Sequence, residues 1–265
     1  MSLRFEGAHL SSTERPAVVI AIDGPAGAGK STVAKLLAKS LGFEFLDTGA
    51  MYRAVTYAAL SRGVDLSDSQ ALSTLAQSLH IQLDGSNVTL DGEDVSQAIR
   101  TPEVGKSIAA IADNVQIRGL LSQWQRDWAR GRCVVTEGRD QGSEVFCDSP
   151  CKIFLIASSL ERAKRRQDEL SGKGIAITLE EILDQQDRRD HQDRSRPVGA
   201  LRKADDAIEF STDGLTLEQV VESLEAIIRE RLGNSIDSEK FLATRRLPGQ
   251  ARSAESTTQS TREAE

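Results

Sequence analysis

The chain has 265 residues, of which 39% are apolar, 4% aromatic and 28% charged. Its 20 glycines bring the apolar share to the roughly 45–50% usual for soluble domains, which excludes a disordered chain and allows a sizeable core in one or two domains. Lys and Arg number 33 against 40 Asp and Glu, a formal net charge of -7, so a generally basic surface for nucleic acid is excluded and any phosphate chemistry must be local.

No run approaches the roughly 18 apolar residues of a membrane span, and MSLRFEGAHLSSTERP lacks the apolar core of a secretory signal. A cytoplasmic protein with neither membrane nor nucleic-acid partner is expected. Cys133, Cys147 and Cys151 suit neither a disulfide framework nor a complete zinc ligand set.

Residues 1–16 are mixed polar, and residues 234–265 are rich in Ser, Thr, Glu and Arg; both read as disordered tails. Between them, short apolar runs alternate with helical patterns, the signature of a parallel sheet covered by helices. The first strand is VVIAI, 18–22, followed by a helix that buries Val33, Leu36, Leu37 and Leu41 and leaves Lys35 and Lys39 in water. FEFL, 43–46, is the second strand, and Asp47-Thr48-Gly49 starts a helix with Arg53 one turn in.

HIQLDGSNVTLDGEDVS, 80–96, breaks the alternation with period-two stretches between Asp-Gly turns and reads as a small antiparallel insert. Helices follow over 102–113 and 115–130; Trp124 and Trp128, four apart, are expected to pack rather than bind a base. These helices and the insert are candidates for a substrate subdomain. CVVT, 133–136, and IFLIA, 153–157, resume the sheet. From Arg162 to Arg202 an arginine-rich helix pair flanks Gly172-Lys173-Gly174, with Thr178 and Glu181 capping its second member; it is suited to move as a lid. AIEF, 207–210, is the last strand, and Thr216 with Gln219 caps a final helix whose apolar face is Leu217, Val220, Val221, Leu224, Ile227 and Ile228.

The strongest chemical signal is GPAGAGKST: Gly24, Pro25, Ala26, Gly27, Ala28, Gly29, Lys30, Ser31 and Thr32. It follows an apolar strand and opens an amphipathic helix, the setting in which GxxxxGK[ST] cradles the phosphates of an NTP. Its backbone N–H groups and helix N-terminus face phosphate oxygens. Lys30 neutralises the β and γ phosphates, and Ser31 offers its hydroxyl to Mg2+. The loop by itself leaves the destination of the γ phosphoryl open: water, a protein or a small acceptor.

Three further clusters narrow the choice. LDTGAMYR, 46–53, follows the second strand; EGRDQG, 137–142, follows the third. In the latter, Glu137 is placed to bind magnesium through water, while Arg139 and Asp140 lie beyond a strand's carboxyl end, where ligands bind such sheets. RRDHQDRSR, 188–196, interleaves Arg188, Arg189, Arg194 and Arg196 with acids. It reads equally as a solvated face laced by ion pairs or as cations that close on a migrating phosphoryl group.

In this order, GPAGAGKST, LDTGAMYR, EDVSQAIRTPEV, EGRDQG, KIFLIASSLERAKRR and RDHQDRSR make the chain resemble the bacterial cytidylate kinases, within the nucleoside monophosphate kinases, over about residues 17–232. The resemblance implies an α/β P-loop NTPase core with a five-stranded parallel sheet flanked by helices. It implies a kinase domain at 17–233, an acceptor-binding region at about 47–131 enlarged by the insert at about 80–100, and a mobile lid at about 160–197. It implies a monomer that transfers the γ phosphoryl of ATP to CMP or dCMP, with Mg2+, in pyrimidine nucleotide metabolism. By the same resemblance Thr48, Arg53, Arg139 and Arg196 hold the acceptor phosphate region, Arg118 and Asp140 read cytosine, and Arg189 with Asp193 touches the sugar. Lys30, Arg139, Arg189 and Arg196 carry the catalysis, by charge neutralisation without a protein nucleophile.

Two residues depart from the family pattern. Ala109 stands where a serine commonly contacts the base, Ser107 being on another helical face. Glu137 replaces an aspartate. The alternatives are a kinase for UMP or another phosphorylated acceptor and, in a different class, a non-catalytic P-loop regulator.

Overall fold

The computed structural model describes residues 17–172 and 174–233; the two expected tails and Lys173 lie outside the described residues. In chain order, β1 (Val18–Asp23) leads through the glycine-rich loop into α1 (Lys30–Leu41), then β2 (Glu44–Asp47), α2 (Thr48–Ser61) and α3 (Ser69–Ser78). The insert is β3 (Ile81–Asp84), β4 (Asn87–Leu90) and β5 (Glu93–Asp94). After a short 3-10 turn at Ala98–Arg100 come α4 (Pro102–Ala112), α5 (Val115–Ala129) and β6 (Cys133–Gly138). A wide π turn at Gln141–Val145 precedes β7 (Cys151–Ile156), α6 (Ser159–Ser171), α7 (Leu179–Ser195), β8 (Ile208–Ser211) and α8 (Leu217–Leu232).

The five core strands are all parallel, in the order β2-β6-β1-β7-β8. With β1 and β6 in the interior, both sides of the sheet must be apolar, and Ile20, Ala21, Ile22, Val134 and Val135 are fully buried. The sequence reversal between β1 and its neighbours puts the loop after β1 beside the loop after β6, where ligands bind open α/β sheets. The insert is the expected antiparallel sheet, β3-β4-β5.

The apolar interior falls into two clusters. One joins β1 to α1 and α8 through Ile20, Ile22, Leu37, Leu41, Leu224 and Ile228. The other joins α2, α3, α4, α5 and the insert through Met51, Val55, Leu72, Ile111, Ile117 and Trp124. Both tryptophans pack into the second cluster, with the Arg132 guanidinium 4.6 Å from the Trp128 ring. Among the described residues no helix is long and apolar enough to cross a membrane.

Helix boundaries follow local chemistry. Asp47 accepts the Ala50 N–H at 2.9 Å and starts α2; Asn114 accepts the Gln116 and Ile117 amides and starts α5. The Thr178/Glu181 and Thr216/Gln219 capping boxes are both formed.

Several expectations need correction. Leu36 is 37% exposed and Leu217 39% exposed; Ala34 and Ala38 pack in α1 instead, because small side chains let α1 sit close to the sheet. Lys35 is half-buried, its ammonium 5.4 Å from the Phe45 ring rather than in open water. β7 starts two residues before the apolar run because Lys152 disguised it. The Lys152 ammonium donates to Asp206 and to the Cys147 carbonyl at 2.6 Å, which removes the cost of placing a charge in a strand. α3 lies outside the elements expected from sequence although Leu72, Leu75, Ala76 and Leu79 repeat at helical spacing and pack inward; the π turn carries no periodic apolar signal.

Candidate active site

The donor side is built by the backbone. At Gly24 an added Cβ would lie 2.0 Å from the Leu155 carbonyl oxygen of β7, so only glycine lets the chain turn off β1 there. Gly29, at φ 90°, opens α1 with its amides facing the loop. Lys30 is buried and donates to the Pro25 carbonyl at 2.8 Å, which folds the side chain back over the loop. Burial first, then repulsion from Arg139, draws the ammonium down to about 7 against the pull of Glu137 and Asp23. A bound polyphosphate reverses that balance by supplying the missing negative charge.

The Ser31 hydroxyl donates to Glu137 Oε1 at 2.8 Å. A hydroxyl and a carboxylate meeting beside a phosphate loop form an all-oxygen donor set that fits Mg2+, and the longer Glu137 side chain reaches it without distorting β6.

The acceptor side is assembled from distant segments. Thr48 spends its hydroxyl on the Glu137 carbonyl at 2.7 Å, tying the start of α2 to the end of β6. Arg53, one turn further, loses proton affinity through burial, with Arg100 adding repulsion and Asp47 opposing both. Arg139 donates to Asp193 Oδ2 at 2.8 Å, and Arg196 pairs with Asp193 Oδ1 at 2.8 Å. Burial opposes the charge on Arg139, but Asp193 outweighs it and holds the guanidinium protonated; in return Arg139 and Arg196 keep Asp193 below the usual carboxylate range despite its burial.

Arg189 is drawn down to about 10 by partial desolvation and then by Arg139, although its side chain keeps an open edge to solvent. Arg53 and Arg189 make no ion pair among the described residues. Four guanidinium groups, from α2, the turn after β6, α7 and its C-terminal cap, thus repel one another around one space; Asp193 and Asp113 pair with two of them, while Asp47 and Glu137 offset the charge on Arg53 without pairing with it. An anion is what this arrangement lacks.

Beside it, Arg118 is 4% exposed. It pairs closely with Asp140, donates to the Ala112 carbonyl at 2.9 Å and lies 5.4 Å from the Tyr52 ring. Among the described residues its buried Nε has no hydrogen-bond partner. Ala109 is half-buried on α4.

Among the expected site residues, direct contacts link Ser31 and Thr48 to Glu137, Arg139 and Arg196 to Asp193, and Arg118 to Asp140, while Lys30, Arg53 and Arg189 lie within electrostatic reach of Arg139. The structure also places residues that spacing did not single out. Arg100 reaches Asp47 Oδ2 at 3.3 Å beside Arg53. Asp113 accepts from Arg196 Nε at 2.7 Å and from Gln192 Nε2 at 3.0 Å, joining the α4–α5 corner to α7. Glu144 accepts the Gly199 N–H at 2.9 Å and seats the chain beyond α7 against Arg118. Arg100 lies within EDVSQAIRTPEV, so a signal was present; Asp113 and Glu144 read as ordinary surface acids until their partners are known.

A phosphate loop at the switch point of a parallel sheet, facing a second, arginine-lined anion site, defines a P-loop phosphotransferase for a phosphorylated acceptor. The family model for cytidylate kinase matches residues 20–230. A cytidylate kinase of Rhodopirellula baltica is 49% identical over 213 residues, covering 80% of this chain and 93% of that one. One from Caldanaerobacter subterraneus subsp. tengcongensis is 45% identical over 219 residues, covering 83% and 98%. The chain belongs to the cytidylate kinase family.

Proposed function

We propose that the protein transfers the γ phosphoryl of ATP to CMP or dCMP, giving ADP and CDP or dCDP. The observation that carries this reading is the convergence of Arg53, Arg139, Arg189 and Arg196 opposite the phosphate loop, two of them, Arg53 and Arg189, making no ion pair among the described residues. A switch that only binds NTP has no use for a second anion site of this kind.

The acceptor phosphate brings its own anionic oxygen as nucleophile, so positioning and charge neutralisation supply the catalysis. Lys30 releases the Pro25 carbonyl and takes the donor phosphates. Arg53 and Arg139 hold the acceptor phosphate, with the Thr48 hydroxyl bonded to the Glu137 carbonyl and fixing the α2 end of the site. Arg189 and Arg196 approach from α7 and neutralise charge on the group in flight, while Asp193 keeps Arg139 and Arg196 aligned and offers its outer edge to the sugar. The Arg118–Asp140 pair supplies a donor and an acceptor to the cytosine edge. Ser31 and Glu137 would hold Mg2+, which when bound neutralises negative charge on the donor phosphates.

The reading includes a lid spanning about residues 160–197 that excludes water as α7 closes, and a cytoplasmic monomer acting on free nucleotides. The net charge of -7 supports a partner set without nucleic acid. The test is ADP formation from Mg-ATP with CMP, dCMP, UMP, AMP or no acceptor. Preference for CMP and dCMP is expected; equal hydrolysis in every arm would overturn the kinase.

A further inference from the structure

The last residue of β1, Asp23, is 4% exposed and enters the chemistry described above only through its charge on Lys30. Its Oδ1 accepts the Gln141 N–H at 2.9 Å and its Oδ2 accepts the Gly142 N–H at 2.7 Å. These are the two amides that follow Asp140, where the chain leaves β6 for the π turn. Strand pairing reaches only to Asp23 opposite Gly138. Beyond it, Thr136 and Gln125 hold the Gln141 side chain at 2.8 and 3.1 Å, leaving the Gln141 and Gly142 N–H groups to Asp23.

The residue after Asp23 is Gly24, itself wedged against the Leu155 carbonyl. One carboxylate therefore joins the root of the donor loop to the turn that carries Arg139 and Asp140. Resting on the reading of those two residues as acceptor contacts, we propose that Asp23 is a positioning residue. It sets the separation between donor loop and acceptor-reading turn by gripping the Gln141 and Gly142 amides.

The chemistry of the residue suits this role. Two N–H donors converge on one small space, and an ionised carboxylate is the compact side chain that accepts both. Burial pushes the Asp23 carboxyl up to about 7, against the lowering by Gly142 and Gln141, and the Lys30 charge is the weakest of the influences on it. The two amide donors are what oppose burial and favour the ionised form that accepts them both. In-line transfer is sensitive to placement, since a 1 Å error costs about 100-fold.

Asp23→Asn keeps the shape but turns an amide donor toward a backbone N–H. On the full-length protein we expect kcat/KM for CMP to fall about tenfold or more and the CMP-over-UMP ratio to narrow, with ATP affinity by calorimetry within about threefold of the parent. Asp140→Ala is measured in parallel. If Asp140→Ala leaves the CMP-over-UMP ratio intact, the reading of Asp140 fails and the inference with it. If Asp140→Ala narrows the ratio while Asp23→Asn lowers only Tm, the positioning role is overturned and the site reading stands. Should Asp23→Asn not fold, the same measurements on Asp23→Ser decide; failure of both to fold would show a purely structural requirement and also overturn the proposal.

Discussion

Nine consecutive residues build the donor side, and its geometry is held by backbone: glycine conformations at the end of β1, the first turn of α1 and the contact with β7. The acceptor side draws Arg53, Arg118, Arg139, Arg189 and Arg196 from four separate segments. It is held by side chains: Asp193 between Arg139 and Arg196, Asp140 on Arg118, Asp113 on Arg196. The donor side is thus shaped by the backbone before ligand arrives. The acceptor side is a set of like charges, part of it carried on α7, and on the proposed reading an incoming phosphate completes it.

That contrast is sharpest at Lys30. Lys30→Ala should lower kcat by about 100- to 1000-fold in a chain that still folds, since the deleted group stabilises the transition state and is a desolvation burden in the free protein. Steady-state kinetics with a melting curve checks both halves of the statement, and near-normal turnover would break the assignment. Arg189→Ala comes next, with an expected loss of about 100-fold in kcat/KM. Because the group is repelled by Arg139 and makes no ion pair among the described residues, Tm should stay level or rise; a large drop in Tm would mean that Arg189 is structural.

Proton linkage distinguishes the two sides without mutation. Lys30 sits near 7 in the free protein, so at pH 8 it is mostly neutral and the bound polyphosphate must recharge it. ATP binding at pH 8 should therefore take up protons, read as a dependence of calorimetric enthalpy on buffer ionisation. The lysine released from its lowered state also fixes the sign for stability. Between about 7 and the ordinary lysine value of 10.5 the unfolded chain binds the extra proton, so the Lys30 contribution rises with pH across that window. Asp193 works at the other end: its lowered carboxyl contributes stability present above its unfolded value and lost as acid protonates it.

Ala109→Ser should sharpen the preference for CMP over UMP by about 1–3 kcal/mol if α4 faces the base, seen as a ratio of kcat/KM values. An unchanged ratio would leave base reading to Arg118 and Asp140. The smallest effect belongs to Asp113→Ala. This exposed carboxylate latches α7 to the α4–α5 corner, and its loss should cost less than about 1 kcal/mol in stability. It should raise KM for the acceptor more than KM for ATP, because only the acceptor lies between the two elements it joins.

How far the sequence could be read follows the same division. The phosphate loop is contiguous, and strand, loop and helix occur in the order its chemistry requires, so Gly24 to Thr32 were identifiable one by one. Capping boxes at Thr178 and Thr216 are local too, and both formed. The core strands were visible as apolar runs except where a charge interrupted one, as Lys152 does in β7. Leu36 and Leu217 were misplaced because helical periodicity marks an apolar face without saying how close the next element comes.

The roles of Arg53, Arg118, Arg139 and Arg196 came from motif resemblance and not from spacing, since RRDHQDRSR reads equally well as a solvated, ion-paired helix face. By itself the sequence determined the α/β class, the five strands, the NTP loop and the family, all of which depend on residues near one another in the chain. Only the tertiary structure decided that Ser31 meets Glu137, that Asp193 clamps two arginines, and that Asp23 holds the turn bearing Arg139 and Asp140. Each of these joins segments far apart in sequence, and a charge or hydrogen-bond donor gains a function only when folding supplies its partner.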